Sequence, residues 1–451
     1  MQGFQSMTTL GLNSPLAKED NRTMRIFGPI DADIRKATGD LGAPRIAGLR
    51  FFYFDGLFAS LSDNLVAGFL ELFLLSYGVS NEIIGLNTAT ANLCASLSIV
   101  PGAMAISRIR SRKRLVVLTG GGIGRVGLLA ISLVPFIAGD SGLAVVSLVA
   151  LNALRSVMGN FCNPAWTSMV ADLVPLQARA RYFGKRNVAI IVASILASPI
   201  AGKIVKSLSG IHAFPHLGFQ AIFFLSFAVG MLSTASFSRI PDASVSEASS
   251  ARPKGFPLRE LLADRRFMGF AASALVWNTA LQVSSPFFNV YLVSRLGASA
   301  AMVGFLTAVS SVTTLLGQLA LGRATDKKGD AFVLVLTGLL IPFLPLSWIL
   351  VTRPQQVAYI NTASGILWAG YNLACFNILL KLTPDDRRAE ATAVYQTLVT
   401  ASAVIGPVIG GALADSVGYT AVFALSGAGR FVGILLFIAL VLRPGPLRAR
   451  H

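Results

Sequence analysis

Charge is scarce in this chain: Asp, Glu, Lys and Arg make up 13% of its 451 residues, where a water-soluble protein carries roughly a quarter. So few charges cannot clothe a globule that faces water on every side. Cysteine is nearly absent, at three residues, which excludes a disulfide-stapled fold; Cys94, Cys162 and Cys375 are dispersed and read as small packing hydrophobes. Histidine is equally rare. His212 and His216 stand four apart, but Phe214 and Pro215 lie between them and no third ligand follows, so no metal is expected. No Gly-x-x-x-x-Gly-Lys-Ser/Thr loop occurs and no polar stretch is long enough for an ATPase domain, so any work done must draw on a gradient. The glycines of 120–124 sit inside an apolar run with no strand before them, which rules out a dinucleotide turn. No convergent nucleophile, base and metal are found, so the chain is not expected to be an enzyme and no cofactor is implied.

What is abundant is apolar surface, at 54% of residues. A helix crossing ~30 Å of hydrocarbon needs about 20 mostly apolar residues. Twelve runs of that kind lie near 49–76, 82–106, 115–138, 142–170, 183–207, 217–239, 265–295, 299–323, 331–352, 355–382, 388–414 and 418–442. They are continuously apolar at helix length, without the ten-residue alternation of a membrane barrel. The expected fold is all-α and polytopic, with twelve transmembrane helices in two six-helix bundles.

Orientation follows from the 38 Lys and Arg residues, because loops on the cytoplasmic side retain them. With both termini inside, 31 fall in the tails or in loops after even-numbered spans, and only Lys203, Lys206, Arg295 and Arg353 on the other side. Arg125, Arg155 and Arg430 are left within spans. This excess orients helices and meets anionic lipid head groups, so the net charge of +17 calls for no nucleic-acid partner. Residues 1–45 show no cleaved export signal and read as a cytoplasmic tail, 46–239 as the first bundle, 240–263 as a linker with Pro241, Pro253 and Pro257, 264–443 as the second bundle, and 444–451 as a second tail.

The two halves repeat. A shift of 219 sets Tyr77-Gly78-Val79-Ser80 on Leu296-Gly297-Ala298-Ser299 and Gly85 on Gly304; shifts of 208 and 209 set Pro199 on Pro407, Gly202 on Gly410 and Asn163 on Asn372. Parallel repeats about an axis along the membrane normal place a cavity between them near the midplane, as in many secondary transporters. Between spans 8 and 9 the sequence Gly322-Arg323-Ala324-Thr325-Asp326-Lys327-Lys328-Gly329 is close to G-x-x-x-D-[RK]-x-G. On these residues the chain resembles the major facilitator superfamily over about 46–443. The glycines permit a tight turn, while Asp326 can cap a helix N-terminus or pair with a base across the two helices, a contact able to hold one conformation. The first-half loop has Ala103 and Ser107 at the matching places, so any latch is expected in the second half. A second motif, Gly406-Pro407-Val408-Ile409-Gly410-Gly411 in span 11, has a degenerate partner at Ser198-Pro199-Ile200-Ala201-Gly202 in span 5. The resemblance associates such a motif with antiporters when it lies in span 5. Close helix packing at a moving seam explains it equally well.

A charge at bilayer depth costs at least ~2.5–3.5 kcal/mol and needs a partner or a wet cavity. Span 1 carries Asp55, Asp63 and Glu71; Asp63 lies ~20 Å in from the inner end at 1.5 Å per residue, and Arg155 of span 4 reaches a similar level from outside. The resemblance puts spans 1 and 4 in the cavity wall. A buried carboxylic acid is pushed toward its neutral form by burial and toward its charged form by a nearby cation. Asp63 is therefore the expected proton carrier, with Arg155 as its counter-ion or as the site for a substrate anion; the alternative is a permanent ion pair. Asp55 and Glu71 are expected to be structural, and Arg125 and Arg430, on spans that the resemblance makes peripheral, to meet a carbonyl or carboxylate between helices. The second half offers Trp277, Asn278, Gln282 and Asn289 on span 7 and Trp368, Tyr371 and Asn372 on span 10. Aromatic faces with a few amides suit a small organic solute, and Asn278, Gln282 and Asn289 fall on one helical stripe. The same residues would also serve as interhelical bridges.

The reading is a secondary active transporter of a small organic solute working by alternating access, coupled to protons and acting as an exporter, embedded as a monomer with both termini cytoplasmic in the inner (plasma) membrane. Uptake or facilitated diffusion is the nearest alternative. A sensor or scaffold that kept the fold without turnover is the other.

Overall fold

The computed structural model describes residues 34–35, 43–109, 111–174, 179–209, 215–241, 264–382 and 388–442. Most of the expected tails and linker, together with His212, lie outside them. Among the described residues twelve helical spans are present, each built on one of the apolar runs. Span 1 is Ala43–Val66 continued by Phe69–Ser76, span 2 Asn81–Arg108, span 4 Gly142–Leu173, span 5 Arg179–Leu208 and span 6 Leu217–Ser238. Span 3 runs Arg112–Val116, then a π-helical stretch Val117–Ile123, then Gly124–Ala138, so the glycine run is helical. The second bundle holds span 7 (Arg265–Ser284 and Phe287–Ser294), span 8 (Ala300–Lys328), span 9 (Asp330–Leu340 and Phe343–Ile349), span 10 (Val357–Leu382), span 11 (Arg388–Ser416) and span 12 (Tyr419–Phe437, with a π turn to Leu442). Among the described residues ten of these are long and apolar enough to cross a membrane on their own composition, spans 7 and 10, rich in amides and aromatics, being the exceptions.

The repeat is visible in local geometry. Span 1 breaks at 67–68 with Gly68 at φ +76°, and span 7 breaks at 285–286 ahead of Pro286, so a shift of 218 aligns the two helices. Two clasps also match, with acceptors 218 residues apart and donors 200 apart. The Ser226 hydroxyl on span 6 donates to the Ser62 carbonyl at 2.8 Å, and the Ser426 hydroxyl on span 12 donates to the Ala280 carbonyl at 2.7 Å.

The bundles meet at the end holding residues 77–80, 295–299 and 416–418, the distal end. There Gly85 of span 2 lies against the Pro407 carbonyl of span 11, and Gly304 of span 8 against the Ser198 carbonyl of span 5; Gly411 and Gly202 face Asn81 and Ala300 in the same way. A Cβ at any of these would strike backbone, which is why small residues recur at the seams. One apolar core at this end joins both bundles, including Phe69, Phe73 and Phe223 with Phe287 and Phe423. Toward the other, proximal, end each bundle has its own core, one around Phe52 and Tyr182, the other around Phe270 and Phe437. Sharing a core at one end only leaves the halves apart at the other.

Candidate functional site

A cavity of about 510 Å³ is lined by the first bundle alone. Spans 1, 3, 4, 5 and 6 line it, and it gathers Asp55, Asp63, Arg125, Arg155 and Arg186: three guanidinium groups against two carboxylates. Span 1 presents Asp55 and Asp63 eight residues apart, two helical turns, on one face.

Asp63 stays half open to the cavity, its side chain 56% exposed, and its carboxylate accepts from the Arg125 guanidinium at 2.7 Å. The direct partner is thus Arg125 of span 3, in place of the expected Arg155. Gly230 of span 6 explains the substitution: a Cβ there would strike Arg125 Cδ, and its absence lets the side chain cross to Ser62 Oγ, at 2.9 Å, and on to Asp63. Arg155 faces the same cavity within the field of Asp63, Arg125 and Glu71, but makes no direct hydrogen bond among the described residues.

Asp55, read from the sequence as structural, is buried at the cavity's proximal edge. It accepts from Ser233 Oγ at 2.7 Å and lies 3.9 Å from Arg186. Arg186 stacks its guanidinium over Phe52 at 4.2 Å and near Trp166 at 5.9 Å, and Gly56 leaves the space it fills. Asn160, Asn163 and Trp166 complete the lining. Arg186 and Trp166 were not singled out by sequence reasoning; Arg186 counted only as an orienting loop charge, although it stands well inside span 5. Glu71 is buried beyond Asp63, with Oε2 lacking a hydrogen-bond partner among the described residues.

The polar residues of the second half do not converge on one surface. Trp277, 2% exposed, stacks on Tyr371 at 4.6 Å and meets Trp368 edge-on, forming core. Asn278 donates to the Ala274 carbonyl of its own helix at 2.8 Å, Gln282 packs on Gly406, and Asn289 lies beyond the break at 285–286, against Gly68. That break resets the helical stripe. Asn372 is exposed. Trp368 and Asn289 line a smaller cavity of about 140 Å³ with Arg430, so span 12, like span 3, carries its arginine into a cavity.

The turn between spans 8 and 9 has Gly329 at φ +85°, as a tight turn requires. Asp326 and Lys327 are exposed, and Gly322 has open space beside it. The acid that pairs is Asp330: it accepts from Asn377 at 2.7 Å and from Lys381 of span 10. His216, at the distal end, bridges Asp140 at 2.8 Å and Ser76 at 3.1 Å.

The architecture is two repeated six-helix bundles with a charged cavity inside the first. The Major Facilitator Superfamily profile matches residues 53–294 and 270–451, and the chain belongs to that family. It is similar to the multi-drug resistance efflux pump PmrA of Streptococcus pneumoniae, 23% identical over 393 residues, covering 83% of this chain and 91% of the pump. Multidrug resistance protein MdtG of Salmonella schwarzengrund is 23% identical over 300 residues, covering 64% and 69%. Among solved structures, the nucleoside transporter NupG has a TM-score of 0.68 at 12% identity, covering 89% of this chain and 100% of that one. The D-xylose-proton symporter scores 0.69 at 14% identity, covering 90% and 99%. The protein is a multi-pass membrane protein and a secondary transporter of small molecules.

Proposed function

We propose that the protein exports small organic solutes across the inner membrane in exchange for protons, the distal end facing outward and both termini inside. The observation that carries this is the Asp63 carboxylate, half exposed in a cavity at bilayer depth and paired with Arg125 beside Arg155. A proton arriving at Asp63 discharges the pair, and the freed guanidinium groups then alter what the cavity holds. One guanidinium in excess favours a solute with an acidic group, with Arg155 as the place where it docks. The efflux direction is supported by the likeness to PmrA and MdtG, and the basic proximal loops support the orientation. Alternating access then consists of opening the glycine seams of spans 5–8 and 2–11, where Pro199, Gly406, Pro407, Gly410 and Gly411 sit, and closing the proximal end around Gly322–Gly329.

The test uses proteoliposomes, with carboxyfluorescein and ethidium as anionic and cationic probes. Asp63→Asn is expected to lose proton-driven flux at least tenfold while leaving solute counterflow measurable. Equal loss of both removes Asp63 from coupling. Unchanged flux of the anionic probe in Arg155→Ala removes the docking role.

A further inference from the structure

The second bundle contains a charge that nothing described there balances. Arg430 is 2% exposed, among the most deeply buried large side chains of the protein. A guanidinium stays protonated in proteins, so it cannot escape burial by becoming neutral. Its Nη2 donates to Ser284 Oγ at 3.1 Å, and its Nε has no hydrogen-bond partner among the described residues. Ser284 does not lead to an acid: its hydroxyl meets Ser426 Oγ at 2.9 Å, and Ser426 donates to the Ala280 carbonyl. The carboxylates among the described side chains of this bundle are Asp264, Asp326, Asp330 and Asp415, all at helix ends. Asp330 is already tied to Lys381 and Asp415 to span 2. Burying an uncompensated charge costs several kcal/mol, which dipoles alone offset poorly.

Beside Arg430 lies the cavity of about 140 Å³, lined also by Asn289, Asn361, Ser364 and Trp368. These groups offer N–H and O–H donors. Asn361 gives one amide hydrogen to the Leu306 carbonyl at 2.9 Å and keeps a second. The space is too small for a solute that needs roughly 300 Å³ or more, yet holds an ion with some of its water at roughly 30 Å³ per water. By the shift of 218 that aligns the two broken helices, Asp63 of the charged first-bundle cavity falls on Leu281. Leu281 lines the second cavity where an acid would stand.

We propose that this cavity is a binding site for a small inorganic monovalent anion, of chloride size, held by Arg430 as the counter-charge that the second bundle lacks. Occupancy ties spans 7, 10 and 12 together and stabilises the second bundle. The site stands whether or not protons drive transport.

The test is thermal unfolding of the purified full-length protein as sodium gluconate is replaced by chloride, bromide or nitrate at constant ionic strength. Wild type is expected to gain several degrees along a saturating curve. Arg430→Met should lose that response. Leu281→Asp supplies an internal counter-ion and remains informative if Arg430→Met does not fold; it too should lose the response, with a higher starting midpoint in gluconate. Arg155→Met should keep it, which separates this site from the first cavity. Absence of a saturable rise in wild type, an undiminished rise in Leu281→Asp, or its loss in Arg155→Met overturns the proposal. Bromide scattering beside Arg430 in crystals would support it directly.

Discussion

The two bundles share a backbone plan and differ in charge. Each breaks its first helix at the matching turn, and each binds that helix to its last through a serine donating to a carbonyl. The first then lines its cavity with five charged side chains, while the second lines a cavity about a quarter that size with Arg430 as its one charged side chain. Even the arginines arrive differently. Arg125 reaches over Gly230 from span 3, whereas Arg430 grows from span 12 itself, 200 residues after that glycine, the spacing that also separates the clasp serines Ser226 and Ser426. The lesson is that duplication preserves packing contacts, which every helix pair needs, and leaves ionisable groups free to specialise. The cluster of acids and bases lies in one half, and glycine seams lie in both.

The largest effect is expected from moving the acid between halves. Asp63→Leu should reduce proton-driven flux about a hundredfold or more, and adding Leu281→Asp should not restore it, because the second cavity has no group equivalent to Arg155. Flux and counterflow in the same liposomes measure this. Recovery in the double variant would show the halves to be interchangeable and break the comparison.

The spans, their number and the repeat were legible because hydrophobic length and basic loops are local signals. Asp63 and Arg155 stood out because each is a charge near the middle of an apolar run. Their partners were not, because which guanidinium reaches a carboxylate depends on missing side chains elsewhere: Gly230 admits Arg125, and Gly56 admits Arg186. The expected stripe of Asn278, Gln282 and Asn289 failed for a related reason, since periodicity assumes an unbroken helix and Pro286 interrupts this one. In the loop motif the pairing acid proved to be Asp330, one residue past the final glycine, because Gly329 turns the chain and Asp330 then opens span 9 facing span 10.

Where the comparison predicts sameness, the seams test it. Gly85→Leu and Gly304→Leu each push a side chain into a backbone carbonyl of the opposite bundle, Pro407 and Ser198 respectively. Both should hold the distal end apart and reduce turnover about tenfold, to similar extents, with the helical content unchanged. Distances between spin labels on spans 2 and 11 and on spans 5 and 8 report the opening. A large effect at one seam alone would mean that the halves do not rock as a symmetric pair.

The smallest effect concerns a polar contact found, among the described residues, at one seam and not the other. Asp415, in the last turn of span 11, accepts from the backbone N–H of Asn81 at 3.2 Å and of Glu82 at 2.8 Å, and from the Asn81 amide at 2.7 Å, while Tyr419 donates to Asn81 at 2.6 Å. It thus caps the N-terminus of span 2 from the other bundle, where unpaired donors and the helix dipole favour a negative charge. The matching position on span 5 is Lys206, and span 8 relies on its own Ser299, which accepts from Met302 at 3.3 Å. Span 2 also has its own Ser80, so removing Asp415 should leave the helix intact and weaken only the bond across the seam. Asp415→Asn keeps most of the shape and loses the charge; it should shift the population toward the distal-open state by about fivefold, more at low salt than at high, whereas Lys206→Ala should shift nothing. Spin-label distance distributions across spans 2–11 at two salt concentrations decide it. An equal shift from Lys206→Ala would place the latch in both seams and remove the asymmetry from the hinge.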